Sequence, residues 1–335
     1  MKNLVTGASG LVGIHIVLDL LKKGETVYAT YTKNSNLENV KKVFDYYKSV
    51  NLFEKINWIE MNLEDITQVF DGVKEMDCVY HSAAIVSFNK KDQSKISRIN
   101  IKGTANIVNA CLEEKIKKLG FISSVASIGR KANNKGLYSE KSKWSISKAN
   151  SFYAISKYKA ENEIWRGIQE GLEAVIVNPG IIIGPSSWNR SSTAIFKQIY
   201  KGLGFYPTGS NGFVDVRDVS RSIISLVESP INAERYILVG ENKSYKSVFE
   251  NIANELNVKP PNKKATKFLL ELAWRIEKLR CLIARKSPGI TRETARTSYQ
   301  HNNYSNEKIK TSINFEFNNI ESAIKNTAKF LLKFN

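Results

Sequence analysis

Tyr153-Ala154-Ile155-Ser156-Lys157 sets a phenol and an ammonium four residues apart, one helical turn, so that both project from one face. A lysine beside a tyrosine favours the phenolate and lowers its pKa toward neutrality, the property a general acid or base needs. Spacing alone is a weak signal: the chain has 14 tyrosines and is rich in lysine, and Tyr304-Ser305-Asn306-Glu307-Lys308 repeats the pattern. Position separates the two. Tyr153 opens a helical segment that precedes the apolar run Ala174–Asn178, and 29 residues before it Ser123-Ser124 ends the run Leu119–Ser123. Tyr304 has no such partner and reads as part of a polar helix face. Ser124, Tyr153 and Lys157 are therefore the candidate catalytic residues.

A second chemical signal stands near the start of the chain. Thr6-Gly7-Ala8-Ser9-Gly10-Leu11-Val12-Gly13 lies between the apolar pair Leu4-Val5 and a periodic apolar segment from Ile14 to Leu21. A strand, a glycine-rich turn and a helix make a pyrophosphate cradle: glycines let the backbone bend and approach a ligand, and the free N–H groups of the helix start face the anion. The spacing is Gly7-x-x-Gly10-x-x-Gly13 rather than G-x-G-x-x-G, so the strand-before, helix-after context is what supports the reading.

The elements that must hold these residues follow from periodicity. Apolar runs at Lys2–Thr6, Thr26–Tyr31, Ile56–Met61, Cys78–His81, Leu119–Ser123 and Ala174–Asn178 alternate with helical patterns, among them Thr104–Glu114 and Tyr153–Gln169. Such alternation predicts an α/β fold, a doubly wound parallel sheet with helices on both faces, whose ligands bind beyond the carboxyl ends of the strands. After Asn178 the rhythm breaks into a stretch rich in Gly and Pro. Val214–Val227 predicts a returning helix with Asp215 or Asp218 as its N-cap, and helices near Ser247–Leu256, Ala265–Lys286 and Ile320–Leu332 predict a smaller lobe. The expected division is a dinucleotide-binding domain over 1–178, with 213–229 returning to it, and a substrate-binding lobe from 179–212 and 230–335.

The chain has 335 residues, 42% of them hydrophobic and 24% charged, which is the composition of a soluble globular protein with a sizeable core. No apolar run reaches bilayer-spanning length and no leader pattern opens the chain, which predicts a cytoplasmic protein. Cys78, Cys111 and Cys281 are far apart without a C-x-x-C pair, and with only three histidines they read as buried small hydrophobes, with no metal site. His15, His81 and His301 read as core or surface histidines. The net charge is +18, and Lys259–Lys310 holds thirteen Lys or Arg against four Glu. Such a block suits an anionic partner or is simply a solvated face. No nucleic-acid motif accompanies it, so no nucleic-acid partner is expected. Within it, Phe268, Leu269, Leu272, Ile276, Leu279 and Ile283 form an apolar stripe flanked by Lys267, Arg275, Lys278, Arg280 and Arg285. A basic amphipathic helix over 267–286 could lie on a membrane surface, but packing of the stripe against its own domain is the preferred expectation.

Taken together, Thr6–Gly13, His81-Ser82-Ala83-Ala84, Asn100-x-x-Gly103-Thr104, Ser124 with Tyr153 and Lys157, Asn178-Pro179-Gly180-Ile181-Ile182-Ile183-Gly184-Pro185 and Phe213–Val219 resemble the extended short-chain dehydrogenase/reductases. The motifs run in family order over residues 1 to about 220. Within that superfamily of NAD-dependent epimerases and dehydratases, the chain most resembles the dihydroflavonol 4-reductase, cinnamoyl-CoA reductase and 3β-hydroxysteroid dehydrogenase group. The resemblance implies a Rossmann-type domain and hydride transfer between a nicotinamide and a carbonyl or carbinol carbon, with Tyr153 protonating the oxygen, Ser124 bonding it and Lys157 holding the ribose. It also implies a supporting role for Asn100 behind Lys157. Further cofactor contacts are implied at Gly7, Ser9, Gly10, Leu11, Val12, Gly13, Tyr31, Asn62, Leu63, Ala83, Ala84, Pro179, Gly180 and Ile182. Asn62 stands where the family often has an adenine-binding Asp, with Leu63 placed to pack beside the ring.

The end of the second strand discriminates between cofactors. An NAD-preferring fold usually places an acid there, to bond both ribose hydroxyls. Here the residues are Tyr31-Thr32-Lys33, with no Asp or Glu between Glu25 and Glu38. A 2′-phosphate would meet Thr32 and Lys33 and no carboxylate, so NADP(H) is expected in preference to NAD(H). The substrate pocket is expected from Ser127–Ser151, with Tyr138 and Trp144, from Ser186–Gly212, with Trp188 and Tyr206, and from the basic lobe after Lys259. A small-molecule carbonyl or alcohol of apolar character fits those aromatics, with an acyl thioester as a variant. The alternatives are a nucleotide-sugar epimerase or dehydratase holding NAD tightly, and a non-catalytic dinucleotide sensor. Many relatives pair through helices equivalent to Thr104–Glu114 and Tyr153–Gln169, so the resemblance allows a homodimer.

Overall fold

Six of the apolar runs become strands, and the periodic segments between them become helices. In the computed structural model, which describes residues 1–334 apart from 130–135, 146, 148–149, 189–191 and 285–290, the first half of the chain reads β1 (Lys2–Thr6), α1 (Leu11–Lys22), β2 (Thr26–Tyr31), α2 (Leu37–Tyr46), α3 (Val50–Phe53), β3 (Asn57–Glu60), α4 (Ile66–Val73), β4 (Cys78–His81), α5 (Gln93–Ile96), α6 (Gly103–Glu113), β5 (Lys118–Ile122), α7 (Phe152–Gln169) and β6 (Ala174–Pro179). The second half adds β7 (Ile181–Ile183), α8 (Thr193–Tyr200), β8 (Phe205–Pro207), β9 (Ser210–Asp215), α9 (Val216–Glu228), β10 (Glu234–Leu238), β11 (Glu241–Ser244), α10 (Tyr245–Glu255), β12 (Lys263–Ala265), α11 (Lys267–Ala284), α12 (Arg292–Thr297), α13 (Glu307–Ile313) and α14 (Ile320–Lys333).

The main sheet has seven strands in the order β10-β6-β5-β4-β1-β2-β3, and every pair in it is parallel. From β1 the chain first builds outward to β3 and then crosses back to build β4, β5 and β6. The crevice between β1 and β4 is thus the switch point at which doubly wound sheets bind ligands. Alternate residues serve opposite faces, as a two-residue period requires. Val5, Val27, Ala29, Tyr80, Val175 and Val177 face the core that includes Ile14, Ile16 and Val17 of α1 and Val219 and Ile223 of α9. Leu4, Val79, Leu119, Phe121 and Ile176 face the core that includes Val69 of α4, Ile107 and Val108 of α6 and Ile164 of α7.

Two parts of the second half differ from the sequence expectation. The Gly/Pro-rich stretch is not all loop: β9 joins β7 and β11 in a three-stranded sheet, and β8 pairs with β12. Residues 234–238, expected in the smaller lobe, return as the edge strand of the main sheet, aligned so that Tyr236 lies opposite Val177. The returning helix α9 begins at Val216 with Asp215 as its cap, the carboxylate accepting from the Arg217 N–H at 2.8 Å. At the C-terminus, Ile320, Ile324, Phe330 and Leu331 of α14 join the large core, and Tyr46 of α2 donates to the Asn326 carbonyl at 3.0 Å.

Candidate active site

The glycine turn is built by close approach. Gly7 has φ +68°, and a Cβ there would stand 2.7 Å from the Ala83 Cα; a Cβ on Gly13 would stand 2.3 Å from the Gly7 carbonyl oxygen. Only glycine fits either place. The Gly10 N–H closes the turn on the Gly7 carbonyl at 2.9 Å, and Gly10 is the N-cap of α1. The first N–H groups of α1, those of Leu11, Val12 and Gly13, have no acceptor within the helix and follow β1 at the switch point. They can hold a pyrophosphate.

The loop after β4 is fixed to this turn. The Ser82 hydroxyl donates to the Thr6 carbonyl at 2.7 Å, and the Ala83 N–H donates to the Thr6 hydroxyl at 3.2 Å. His81 is buried between Thr6 Oγ1 (2.6 Å from Nδ1) and Thr104 Oγ1 (3.0 Å from Nε2), and burial lowers its pKa to about 3. It is a neutral structural pin. Asn100 sits in a widened helical turn over Ser97–Lys102, a local distortion frequent at functional sites. Its amide accepts from the Ile85 N–H at 2.8 Å and donates to the Ile85 carbonyl at 3.0 Å and to Ser156 Oγ at 3.1 Å. It pins the loop that follows Ala83 and Ala84.

At the end of β2 the expected pair Thr32 and Lys33 acquires a partner that the sequence reading missed. Ser35 Oγ accepts from the Thr32 N–H at 3.0 Å and from Ser9 Oγ at 3.1 Å, and lies 3.4 Å from Thr32 Oγ1. A turn closed by the Ser35 N–H on the Thr32 carbonyl, at 2.8 Å, brings it there. The cluster of hydroxyls has the exposed Lys33 beside it. Tyr31 packs edge-on against Trp58, with ring centroids 6.0 Å apart. Asn62 is exposed, its side chain accepting from the Glu64 N–H at 3.1 Å. Leu63 is buried in the core against α6, close to Gly103.

The candidate catalytic residues come together at the carboxyl ends of β5 and β6. Ser151 caps α7, accepting from the Ala154 N–H at 2.9 Å, and so places Tyr153 in the first turn of the helix. The Ser124 hydroxyl lies beside the Tyr153 phenol. Burial pushes the Tyr153 pKa up and the Ser124 contact opposes it. Lys157 is buried, its ammonium donating to the Ile122 carbonyl at 2.7 Å and lying 4.4 Å from the Phe121 ring centroid. Burial lowers its pKa to about 7, against the charge of Glu161. The expected lowering of the phenol by Lys157 is thus corrected: the ammonium turns toward β5, and desolvation makes Tyr153 a weaker acid. The second Tyr–Lys pair is structural. Tyr304 stands 5.4 Å, ring to ring, from Tyr138, while Lys308 lies 4.6 Å from the Tyr236 ring.

Behind the trio lies a buried network with no signal in the sequence beyond a glutamate one turn after Lys157. Glu161 Oε2 accepts from Ser123 Oγ (2.7 Å), Ser127 Oγ (2.7 Å) and Asn178 Nδ2 (2.8 Å), and Oε1 accepts from Arg235 at 2.9 Å. Asn178 also donates to the Ser124 carbonyl at 3.2 Å, and the Ser127 hydroxyl, 2.7 Å from that same carbonyl, shares its one proton between it and Glu161. Next to it, Pro179 ends β6 and the Gly180 N–H donates to the Leu238 carbonyl at 3.0 Å. Ile182 is half-buried on β7.

The aromatics of the expected pocket divide. Trp144 stacks on Tyr158 with centroids 4.5 Å apart, and Tyr206 is buried. Trp188 lies 5.4 Å, ring to ring, from Tyr200. Phe88, which the sequence reading did not single out, packs edge-on to Tyr153 at 5.8 Å and is 37% exposed, giving the phenol an apolar neighbour at the surface of the site. Parts of the expected pocket, 130–135, 146, 148–149 and 189–191, lie outside the described residues.

The model of the NAD dependent epimerase/dehydratase family matches residues 3–240. The cinnamoyl-CoA reductase of Medicago truncatula is 29% identical over 256 residues, covering 73% of this chain and 77% of its own. The bifunctional dihydroflavonol 4-reductase/flavanone 4-reductase of Malus domestica is 29% identical over 247 residues, covering 70% of each chain. Among solved structures, that of gox2253 matches with a TM-score of 0.81 at 25% identity, covering 99% of this chain and 98% of the other. The UDP-glucose 4-epimerase of Thermus thermophilus shares the fold, with a TM-score of 0.76 at 21% identity over 100% of both chains.

Proposed function

Because this chain belongs to the NAD dependent epimerase/dehydratase family and is an NAD(P)-dependent oxidoreductase of the extended short-chain dehydrogenase/reductase kind, we propose that it reduces a carbonyl on an apolar small molecule with NADPH. The observation that carries this reading is the Ser124 hydroxyl beside the buried Tyr153 phenol at the carboxyl edge of the sheet, one helical turn from Lys157. When bound, the nicotinamide supplies or accepts a hydride. Tyr153 gives its phenolic proton to the substrate oxygen as negative charge develops there, and Ser124 donates a second hydrogen bond to that oxygen. Lys157 would hold the ribose hydroxyls of the bound cofactor. A phenol whose pKa is raised keeps its proton at neutral pH, which suits an acid in reduction better than a base in oxidation.

Residues that fit the cofactor are the Gly7–Gly13 cradle, with no room for a Cβ at Gly7 or Gly13, and the first N–H groups of α1. Ser9, Thr32, Lys33 and Ser35 support NADP(H) over NAD(H), since three hydroxyls and an ammonium can bond a 2′-phosphate. Phe88 beside Tyr153 supports an apolar substrate, the class named in the reductase relatives, which include acyl thioesters.

The test is a thermal-shift comparison of NADP(H) and NAD(H), followed by turnover of a panel of aryl ketones, aldehydes and acyl thioesters read at the reduced-nicotinamide absorbance. NADPH should give the larger shift through mass action, and its absorbance should fall with at least one carbonyl substrate. Conversion of a nucleotide sugar without net change in nicotinamide absorbance would replace this reading with an epimerase, and binding of neither dinucleotide would overturn it.

A further inference from the structure

Helix α11 is apolar on two sides, and among the described residues the inner side is the packed one. Leu270 and Trp274 lie against Ala265, Ala295 and Tyr299 in a small separate cluster. The outer stripe, expected to pack on its own domain, does not: Phe268 is 76% exposed, Leu269 40%, Leu272 45% and Ile276 56%. The side chains of Lys278, Leu279 and Ile283, and the whole of Arg285, lie outside what the structure describes. Phe268, Leu272 and Ile276 follow each other at four-residue intervals and stand one above another, a stripe about 12 Å long at 1.5 Å per residue. Single exposed apolar side chains are ordinary, whereas a contiguous stripe of this kind marks an interaction surface.

The charge around the stripe selects its partner. Lys259–Lys286 carries nine Lys or Arg against two Glu, and Lys263, Lys264 and Lys267 are exposed at the start of the helix and on the strand that leads into it. Both acids are occupied along the helix, Glu271 by Arg275 at 2.7 Å and Glu277 by Arg280 at 3.0 Å. A second copy of this chain would bring the same cations to the same rim and repel. An anionic lipid surface takes the apolar side chains into its acyl boundary and pairs the ammonium groups with its headgroups.

We propose that α11 is an in-plane anchor that rests the protein on an anionic bilayer surface, with Phe268, Leu269, Leu272 and Ile276 inserted and Lys263, Lys264 and Lys267 at headgroup level. The anchor adjoins the candidate site through α12, which packs beside α11 in the same cluster. Its half-buried Glu293 lies near the backbone of Phe152, next to Tyr153. An apolar substrate dissolved in the lipid therefore lies near the phenol that would act on it. Lipid binding itself does not depend on what the site turns over.

Flotation of the full chain with vesicles of phosphatidylcholine, with and without added phosphatidylserine, tests this. The protein should float with the phosphatidylserine vesicles alone, and less so as salt rises. Lys263→Gln with Lys264→Gln should weaken that partition about thirtyfold, and Phe268→Ser with Ile276→Ser should abolish it. The NADPH-induced thermal shift, unchanged in both variants, verifies their fold. Absence of binding by the folded protein would overturn the proposal, as would equal binding by the Phe268/Ile276 variant. A lipid-free dimer that this variant dissociates would assign the face to a second copy instead, and would overturn it too.

Discussion

Around Glu161, four donors converge on one buried carboxylate, whereas along α11 four large apolar side chains are 40 to 76% exposed. Both regions depart from the plain pattern of apolar inside and polar outside, in opposite senses. Burying a carboxylate and a guanidinium costs several kcal/mol per ion in desolvation, and what the network gains is fixed geometry: β5, β6, α7 and β10 are tied together directly behind Ser124 and Lys157. Groups that move a proton must be held to within about half an ångström. An exposed stripe constrains nothing in the fold and leaves a surface open to meet something else.

If the first region is the chemical one, its variants should lose rate while keeping their ligand. Tyr153→Phe removes one oxygen and the transferable proton, and turnover should fall roughly 10²–10⁴-fold. The NADPH-induced thermal shift should stay near that of the parent. Retention of most of the rate would remove the phenol from the mechanism.

Glu161→Gln probes the network with a smaller and more particular signature. Burial sets the Lys157 pKa at about 7, and the Glu161 charge holds it up, so the ammonium is present below about pH 7 and is lost as the pH rises through it. The alkaline limb of kcat/KM for reduction should therefore move to lower pH in Glu161→Gln, a change that lost packing alone does not produce. The same variant leaves Arg235 without its carboxylate and should destabilise the fold by about 3 kcal/mol. In the parent protein, unfolded lysine titrates near 10.4. Between about 7 and that value the unfolded chain binds the extra proton, and this group's contribution to stability rises with pH. Lys157→Met should flatten that slope in chemical denaturation at pH 7 and pH 9.

The contrast also explains what could be read from the sequence. Strands β1, β2 and β4 and the glycine turn were legible because each is a short-range pattern: an apolar run, a turn that excludes Cβ atoms, a periodic helix. Tyr153 and Ser124 could be singled out as candidates because both lie at strand or helix ends on the ligand side of the sheet. Glu161 with Arg235, and Ser35 with Ser9, were not legible, since each pair joins residues brought together only by the tertiary fold. Phe88 lies in a stretch with no clear period. For α11 the periodicity was correct and the inference from it was not, because a stripe at helical spacing says that one face is apolar and not what covers it.

Lys33→Glu tests the cofactor end of the first region. A carboxylate there both removes an ammonium and opposes a 2′-phosphate, so NADPH affinity should fall roughly 10- to 100-fold, the worth of a charge-assisted hydrogen bond. NADH should bind within about twofold of the parent. Equal losses for both dinucleotides, read by titration of nicotinamide fluorescence, would mean that Lys33 does not face the adenosine 2′ position.

The smallest effect should come from the second region. Phe268→Ser with Ile276→Ser exchanges side chains that touch little of the fold, so stability should change by no more than about 0.5 kcal/mol per site. The kcat on a water-soluble aldehyde should match the parent. On a long-chain ketone carried in phosphatidylserine vesicles, the same variant should show a raised KM with unchanged kcat, because only delivery of the substrate is impaired. A fall in kcat on the soluble aldehyde would couple α11 to Tyr153 through α12 and Glu293, and the two regions would then have to be treated as one.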